Sequence, residues 1–177
     1  MDKQTALVII DMQVGLFEEA GQPEEQLANI QSLLVQAREA GTPVIYVQHN
    51  GPEGDSLVKG LPTWEIHPNI APHEGELVVQ KRASDSFYET TLNEELQQKH
   101  ITHLVVTGGQ TEYCVDTTIR RATTLGYSIT LVSDAHITAD NEFLSARQAI
   151  AYHNYLLDGF GTDKGRISVK PTADIHF

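Results

Sequence analysis

Leu104-Val105-Val106-Thr107-Gly108-Gly109-Gln110-Thr111-Glu112-Tyr113-Cys114-Val115-Asp116-Thr117-Thr118-Ile119 is the stretch whose reading decides the fold. Its first residues are short, apolar and rich in β-branching, as a buried strand should be. Downstream, Val115, Ile119, Ala122 and Leu125 recur at helical spacing, and Gly126 stops the run. A strand that passes through a glycine-bearing turn into an amphipathic helix is half of an α/β unit. The only cysteine of the chain, Cys114, falls in that turn, at or near the expected helix N-terminus. Free N–H groups and the positive end of a helix dipole favour an anion there, so the thiol is expected to have a lowered pKa and nucleophilic character. A cysteine that only filled core would sit mid-strand or on the inward helix face. This one stands at the carboxyl end of a strand, where open α/β sheets hold their ligands.

The same pattern repeats outward in both directions. Ala6-Leu7-Val8-Ile9-Ile10 is a continuous apolar run that ends at Asp11, the mark of a central parallel strand. A helix is expected from about residue 23 to residue 40, with Leu27, Ile30, Leu34 and Ala37 as its buried stripe and Gly41 as its stop. Pro43-Val44-Ile45-Tyr46-Val47-Gln48 then reads as a second strand, completing a right-handed βαβ unit. Residues 49–75 form a long connection rich in Gly, Pro and His, and a loop of this length in a compact domain is usually functional. Glu76-Leu77-Val78-Val79-Gln80 is a third strand, with Lys81 at its end as Asp11 is at the end of the first.

Thr91-Leu92-Asn93-Glu94 reads as a capping box for a helix to about Lys99, and His103-Leu104-Val105-Val106-Thr107 as the fourth strand. Beyond the Cys114 helix come a fifth strand, Ser128-Ile129-Thr130-Leu131-Val132, and a helix expected from about Glu142 to Leu157, with Phe143, Ala146, Ile150 and His153 on one face. Arg166-Ile167-Ser168-Val169-Lys170 is the last strand. Such alternation predicts a three-layer α/β/α sandwich with a central, mostly parallel sheet, in one domain over residues 1–177.

In a parallel sheet all carboxyl ends share one rim, so Asp11, Lys81 and Cys114 are expected to converge. A carboxylate can take the thiol proton and return it to a leaving group, while an ammonium steadies both anions.

Composition narrows the function classes. The net charge is −12, from 24 acidic against 12 basic residues, and apart from Lys81-Arg82 and Arg120-Arg121 the basic ones are scattered. Nucleic acid is therefore not an expected partner. The acidic field favours a cationic small molecule over an anionic one. Met1-Asp2-Lys3-Gln4-Thr5 runs into a strand without an apolar leader and no long apolar run follows, so neither a membrane span nor a signal peptide is expected and the location is expected to be cytoplasmic. One cysteine forms no intrachain disulfide and has no resolving partner for a redox switch. Gly108-Gly109 lacks the spacing of a nucleotide loop, and no cofactor is expected.

Val8-Ile9-Ile10-Asp11-Met12-Gln13, Gln80-Lys81 and the run from Thr107 to Val115 together resemble the isochorismatase-like family of cysteine hydrolases, with its nicotinamidases, carbamoylsarcosine-type amidohydrolases and streptothricin hydrolases. The resemblance implies a catalytic triad of Asp11, Lys81 and Cys114 and a cis peptide bond between Gly109 and Gln110. It also implies an oxyanion hole from the backbone N–H groups of Gln110 and Cys114, and a homo-oligomer, a dimer being favoured. Nicotinamidases carry a metal-binding Asp-x-His pair after the second strand. Here the region reads Gln48-His49-Asn50-Gly51, so no metal is expected, although His49, His67 and His73 could gather in the loop. The isochorismatases proper replace the cysteine, so Cys114 points to the amide-hydrolysing branch, and the loop with Trp64 is most similar to the streptothricin-hydrolase type. The expected reaction is hydrolysis of a non-peptide C–N bond in a small amide or lactam through a thioester; the alternative is a small-molecule-binding protein on the same fold. Gln13, Phe17, Trp64, Tyr88 and Tyr113 are the expected pocket walls, and His153 is expected to be structural.

Overall fold

The computed structural model describes residues 4–177, so Met1, Asp2 and Lys3, which carry part of the expectation of a leaderless start, lie outside the described residues. Six strands form one sheet in the order β3-β2-β1-β4-β5-β6: β1 (Thr5–Ile10), β2 (Val44–His49), β3 (Leu77–Lys81), β4 (His103–Gly109), β5 (Ser128–Ile137) and β6 (Ile167–Lys170). Every neighbouring pair is parallel. The expected sandwich is therefore observed, and its sheet is wholly parallel.

Two apolar clusters cover the two faces. On one, Ala6, Val8, Ile10 and Val106 pack against Leu92 and Leu96 of α3 (Leu92–Gln98) and Ile119 and Ala122 of α4 (Asp116–Leu125). On the other, Leu7, Ile9 and Val105 meet Phe17 of α1 (Val14–Glu19) and Leu27, Ile30, Leu33 and Leu34 of α2 (Glu24–Glu39). Burial of β1 on both faces is the reason its sequence is apolar without alternation. The chain moves outward from β1 to β3, then returns to the other side of β1 for β4. This reversal opens the carboxyl edge between β1 and β4, where such sheets form a crevice.

Several boundaries differ from expectation for local reasons. Short α1 is not legible from periodicity. Thr91 makes no side-chain cap, because its φ of −87° and ψ of 3° take it out of the extended cap conformation. The last helix, α5, spans Ala146–Leu157 and begins after Glu142: Asn141 Oδ1 accepts from the N–H groups of Phe143 and Leu144, Asp140 accepts from that of Ala146, and Ser145 with Gln148 forms the capping box. Phe143, expected on one helical face with Ala146, Ile150 and His153, precedes the helix and is 82% exposed. β4 and β5 run on past Thr107 and Val132, with a register shift between Val106 and Gly108. Gly108 has φ +123°, and a Cβ there would lie 2.0 Å from the Ile10 carbonyl oxygen, so only glycine lets β4 approach β1 at the crevice.

Candidate active site

Asp11 follows β1 directly and has φ +48°, a left-handed conformation that Asp tolerates better than most residues. Its N–H bonds to the Val47 carbonyl and its own carbonyl accepts from Gln13, which holds the turn in place. Lys81 closes β3. Cys114 sits in a π-helical turn over Thr111–Val115 that precedes α4, and is half-buried. The three residues converge as expected at the carboxyl edge.

Lys81 Nζ is the hub. It lies 2.7 Å from Asp11 Oδ2, with the two side chains 0% and 1% exposed. It donates to the Ala83 carbonyl at 2.9 Å and to Cys114 Sγ at 3.1 Å, and stands 3.2 Å from His49 Nδ1. A lysine ammonium has donors only, so His49 accepts at Nδ1 and a neutral ring carries its proton on Nε2. Asp11, His49 and Cys114 present ligand atoms all within 4.8 Å of one another, a spacing suited to a metal ion. The ammonium bonded to all three already takes the place of a cation among them.

Burial dominates the electrostatics. It raises the Asp11 carboxyl above its usual range despite the opposing charge of Lys81. It also pushes the Cys114 thiol up to about 11, the Asp11 charge adding to the effect and Lys81 opposing it. The expectation of a lowered thiol pKa is thus overturned: the turn is not the first turn of an α-helix, and the thiol faces a carboxylate in a poorly solvated crevice. Burial, and then Lys81, lower His49.

A cavity of about 260 Å³ opens on Cys114, lined also by Asp11, His49, Gln110, Tyr113, Glu19 and Asp55. The Gly109–Gln110 bond is cis, as expected. Of the five expected wall residues, only Tyr113 lines this cavity. Gln13 is fully buried and acts as a clamp: its Oε1 accepts the His49 N–H, and its Nε2 donates to the His49 and Trp64 carbonyls. An amide has donor and acceptor at one end, so it can bind a strand end and a loop together. Phe17 is buried in the core with its ring 4.5 Å from that of His67. Trp64 turns its indole N–H to Asn50 Oδ1, and Tyr88 is 56% exposed to solvent. The three loop histidines do not gather. His49 joins the site, His67 accepts from Asn69 N–H beside Phe17, and His73 lies on a separate cleft with Arg38 and Glu76.

His136 was not singled out from the sequence. Fully buried on β5, its Nδ1 lies 2.8 Å from Thr111 Oγ1 and its Nε2 3.0 Å from Asn154 Oδ1. Asn154 Oδ1 only accepts, so Nε2 carries the proton, and Nδ1 faces the Thr111 hydroxyl, which also lies 3.1 Å from the Ile137 carbonyl. The ring thereby anchors the residue next to Gln110. Its neighbour His153 bonds back to the Ala149 carbonyl, in keeping with the structural role expected for it.

Residues 5–155 match the Isochorismatase domain family. An isochorismatase family protein of Bacillus subtilis is 36% identical over 140 residues, covering 76% of this chain and 78% of the relative. A streptothricin hydrolase of Streptomyces noursei is 36% identical over 138 residues, covering 76% of this chain; the chain spans about half (50%) of that relative's length. Among solved structures, an isochorismatase from Pseudomonas putida superposes with a TM-score of 0.87 at 33% identity, covering 97% of this chain and 90% of that one.

Proposed function

The chain belongs to the isochorismatase family, and from that premise we propose that it is a cysteine-dependent hydrolase of a non-peptide C–N bond in a small amide or lactam, with Asp11, Lys81 and Cys114 as its catalytic residues. The observation that carries the reading is the buried Lys81 ammonium placed 2.7 Å from Asp11 and 3.1 Å from the thiol.

The mechanism follows from the raised pKa values. A thiol held near 11 is mostly protonated at neutral pH, so no standing thiolate attacks. Proton transfer to Asp11 accompanies bond formation between Sγ and the carbonyl carbon, and a carboxylate made more basic by burial is suited to it. Lys81 holds Asp11 in place and offsets negative charge on sulfur. The N–H groups of Gln110 and Cys114 receive the developing oxyanion. Collapse breaks the C–N bond, and Asp11 returns the proton to the departing amine, leaving a thioester on Cys114. Water then gives a proton to Asp11 and attacks the thioester carbonyl; the C–S bond breaks, the proton goes to sulfur, and the acid leaves.

The test is a screen of small amides and lactams for released amine, with Cys114→Ser as control and intact-mass detection of an acyl adduct on the parent. Release and an adduct in the parent alone are expected. A ligand that binds without release or adduct in the parent would leave a binding protein instead.

A further inference from the structure

The hydrolytic steps leave part of the Cys114 cavity unused. Glu19, the last residue of α1, and Asp55, in the loop after β2, both line it, and neither has a role in the chemistry above. Each is held by one oxygen: Glu19 Oε1 accepts from Ser56 Oγ at 3.0 Å, and Asp55 Oδ1 accepts from the Leu57 N–H at 2.8 Å. Among the described residues no arginine lines the cavity, and no lysine. Lys81, behind the wall, is committed to Asp11, and the nearby cations are engaged elsewhere: Lys59 lies over the Trp64 ring and donates to Gln80, and Arg82 pairs with Glu89. His49, with its pKa lowered, adds no positive charge at neutral pH. Deeper in, Asp11 Oδ1 is a buried acceptor beside the Cys114 thiol, so the negative charge of the cavity extends to its floor.

A narrow cleft lined by one sign of charge concentrates ligands of the opposite sign. The chain's net charge of −12 acts in the same direction. We propose that this site selects amides or lactams that carry a protonated amine, with the ammonium held at the mouth by Glu19 and Asp55 while the carbonyl reaches Cys114. The inference rests on the hydrolase reading for its scissile bond, and it names Glu19 and Asp55 as specificity residues.

The experiment uses the single cysteine as its reporter. Cys114 is treated with aminoethyl, sulfonatoethyl and ethyl methanethiosulfonate at low ionic strength, and mixed-disulfide formation is timed by intact mass. The aminoethyl reagent is expected to react faster than the sulfonatoethyl one. That rate ratio is expected to fall about tenfold in Glu19→Gln/Asp55→Asn, with the ethyl rate and the circular dichroism unchanged. Glu39→Gln/Glu74→Gln makes the same change in net charge at the opposite edge of the sheet and is expected to leave the ratio as it was. Equal falls in the two double variants, or a ratio near one in the parent, would overturn the proposal and leave the hydrolase reading intact. A Cys114 that reacts with none of the reagents would overturn both. Charge selection without amine release from any amide would sink only the hydrolase reading, leaving Glu19 and Asp55 as a cation-selecting mouth.

Discussion

Two ion pairs of nearly equal length stand at opposite edges of the sheet. Lys81 and Asp11 meet at 2.7 Å with side chains 0% and 1% exposed, and Arg38 and Glu76 meet at 2.8 Å with side chains 24% and 13% exposed. Arg38 grips Glu76 with a second bond at 2.9 Å and also reaches the Tyr46 hydroxyl. Burial pushes both carboxyls up. At Glu76 the Arg38 bonds and the His73 N–H outweigh it and hold the group below its usual range, whereas at Asp11 burial outweighs Lys81. The same pairing chemistry thus produces a carboxylate tied to structure at one edge and a more basic one beside a thiol at the other. Cavity size points the other way, since about 760 Å³ opens near Arg38 and only about 260 Å³ at Cys114. Depth of burial, and not the volume of the opening, distinguishes the candidate active edge from the other.

The comparison breaks most sharply at Asp11. In Asp11→Asn the amine-release rate is expected to fall by about 10²–10⁴. Alkylation of Cys114 by iodoacetamide near neutral pH should speed up in the same variant, because the charge that raises the thiol is gone while Lys81 remains. Turnover that survives would remove Asp11 as the base, whereas alkylation that slows would show that its uptake of the thiol proton outweighs the effect of its charge on the thiol.

Lys81→Met should destabilise the fold by about 3–5 kcal/mol in denaturant melts, since it strands a buried carboxylate. A change below about 1 kcal/mol would mean that the pair is better solvated than its burial implies.

His136 sharpens the contrast with a buried group that has no ion-pair partner among the described residues. Burial lowers its pKa from 6.5 to about 4. Below pH 6.5 the unfolded chain binds a proton that the folded ring refuses until about pH 4, so stability falls as pH drops through that window. The loss is roughly 3 kcal/mol at most, and His136→Asn should flatten that part of the stability curve. An unchanged slope would assign it to other groups.

The smallest effect is expected at the partly exposed pair. Arg38→Met should cost about 1 kcal/mol and leave the pH profile of Cys114 alkylation where it was. A shifted profile would show that the two edges are coupled.

The parts of the site that were legible in the sequence are those that follow from local pattern. An apolar run names a buried strand, and the residue after it names a point on the rim, so Asp11, Lys81 and Cys114 could be placed together without coordinates. The aromatic wall was less legible. Phe17 and Trp64 have the composition of pocket residues, yet one is core and the other braces a loop, because flat apolar side chains suit either use. Gln13 carries no signal that separates a wall from a clamp, and its partners, His49 and Trp64, are remote in sequence. Glu142 suited a first helical turn, but Asn141 and Asp140 took the N–H groups of Phe143, Leu144 and Ala146 and moved the start to Ala146.

By itself, the sequence determined the order of strands and of every helix but the short α1, the parallel sheet and the rim on which Asp11, Lys81 and Cys114 lie, since each depends on periodicity within short segments. Only the tertiary structure decided the sign of the Cys114 shift, the entry of His49 into the Lys81 hub and the placing of Glu19 and Asp55 on the cavity wall. These depend on solvent exclusion and on charge separations of a few ångströms between residues far apart along the chain, and neither quantity is written in local pattern.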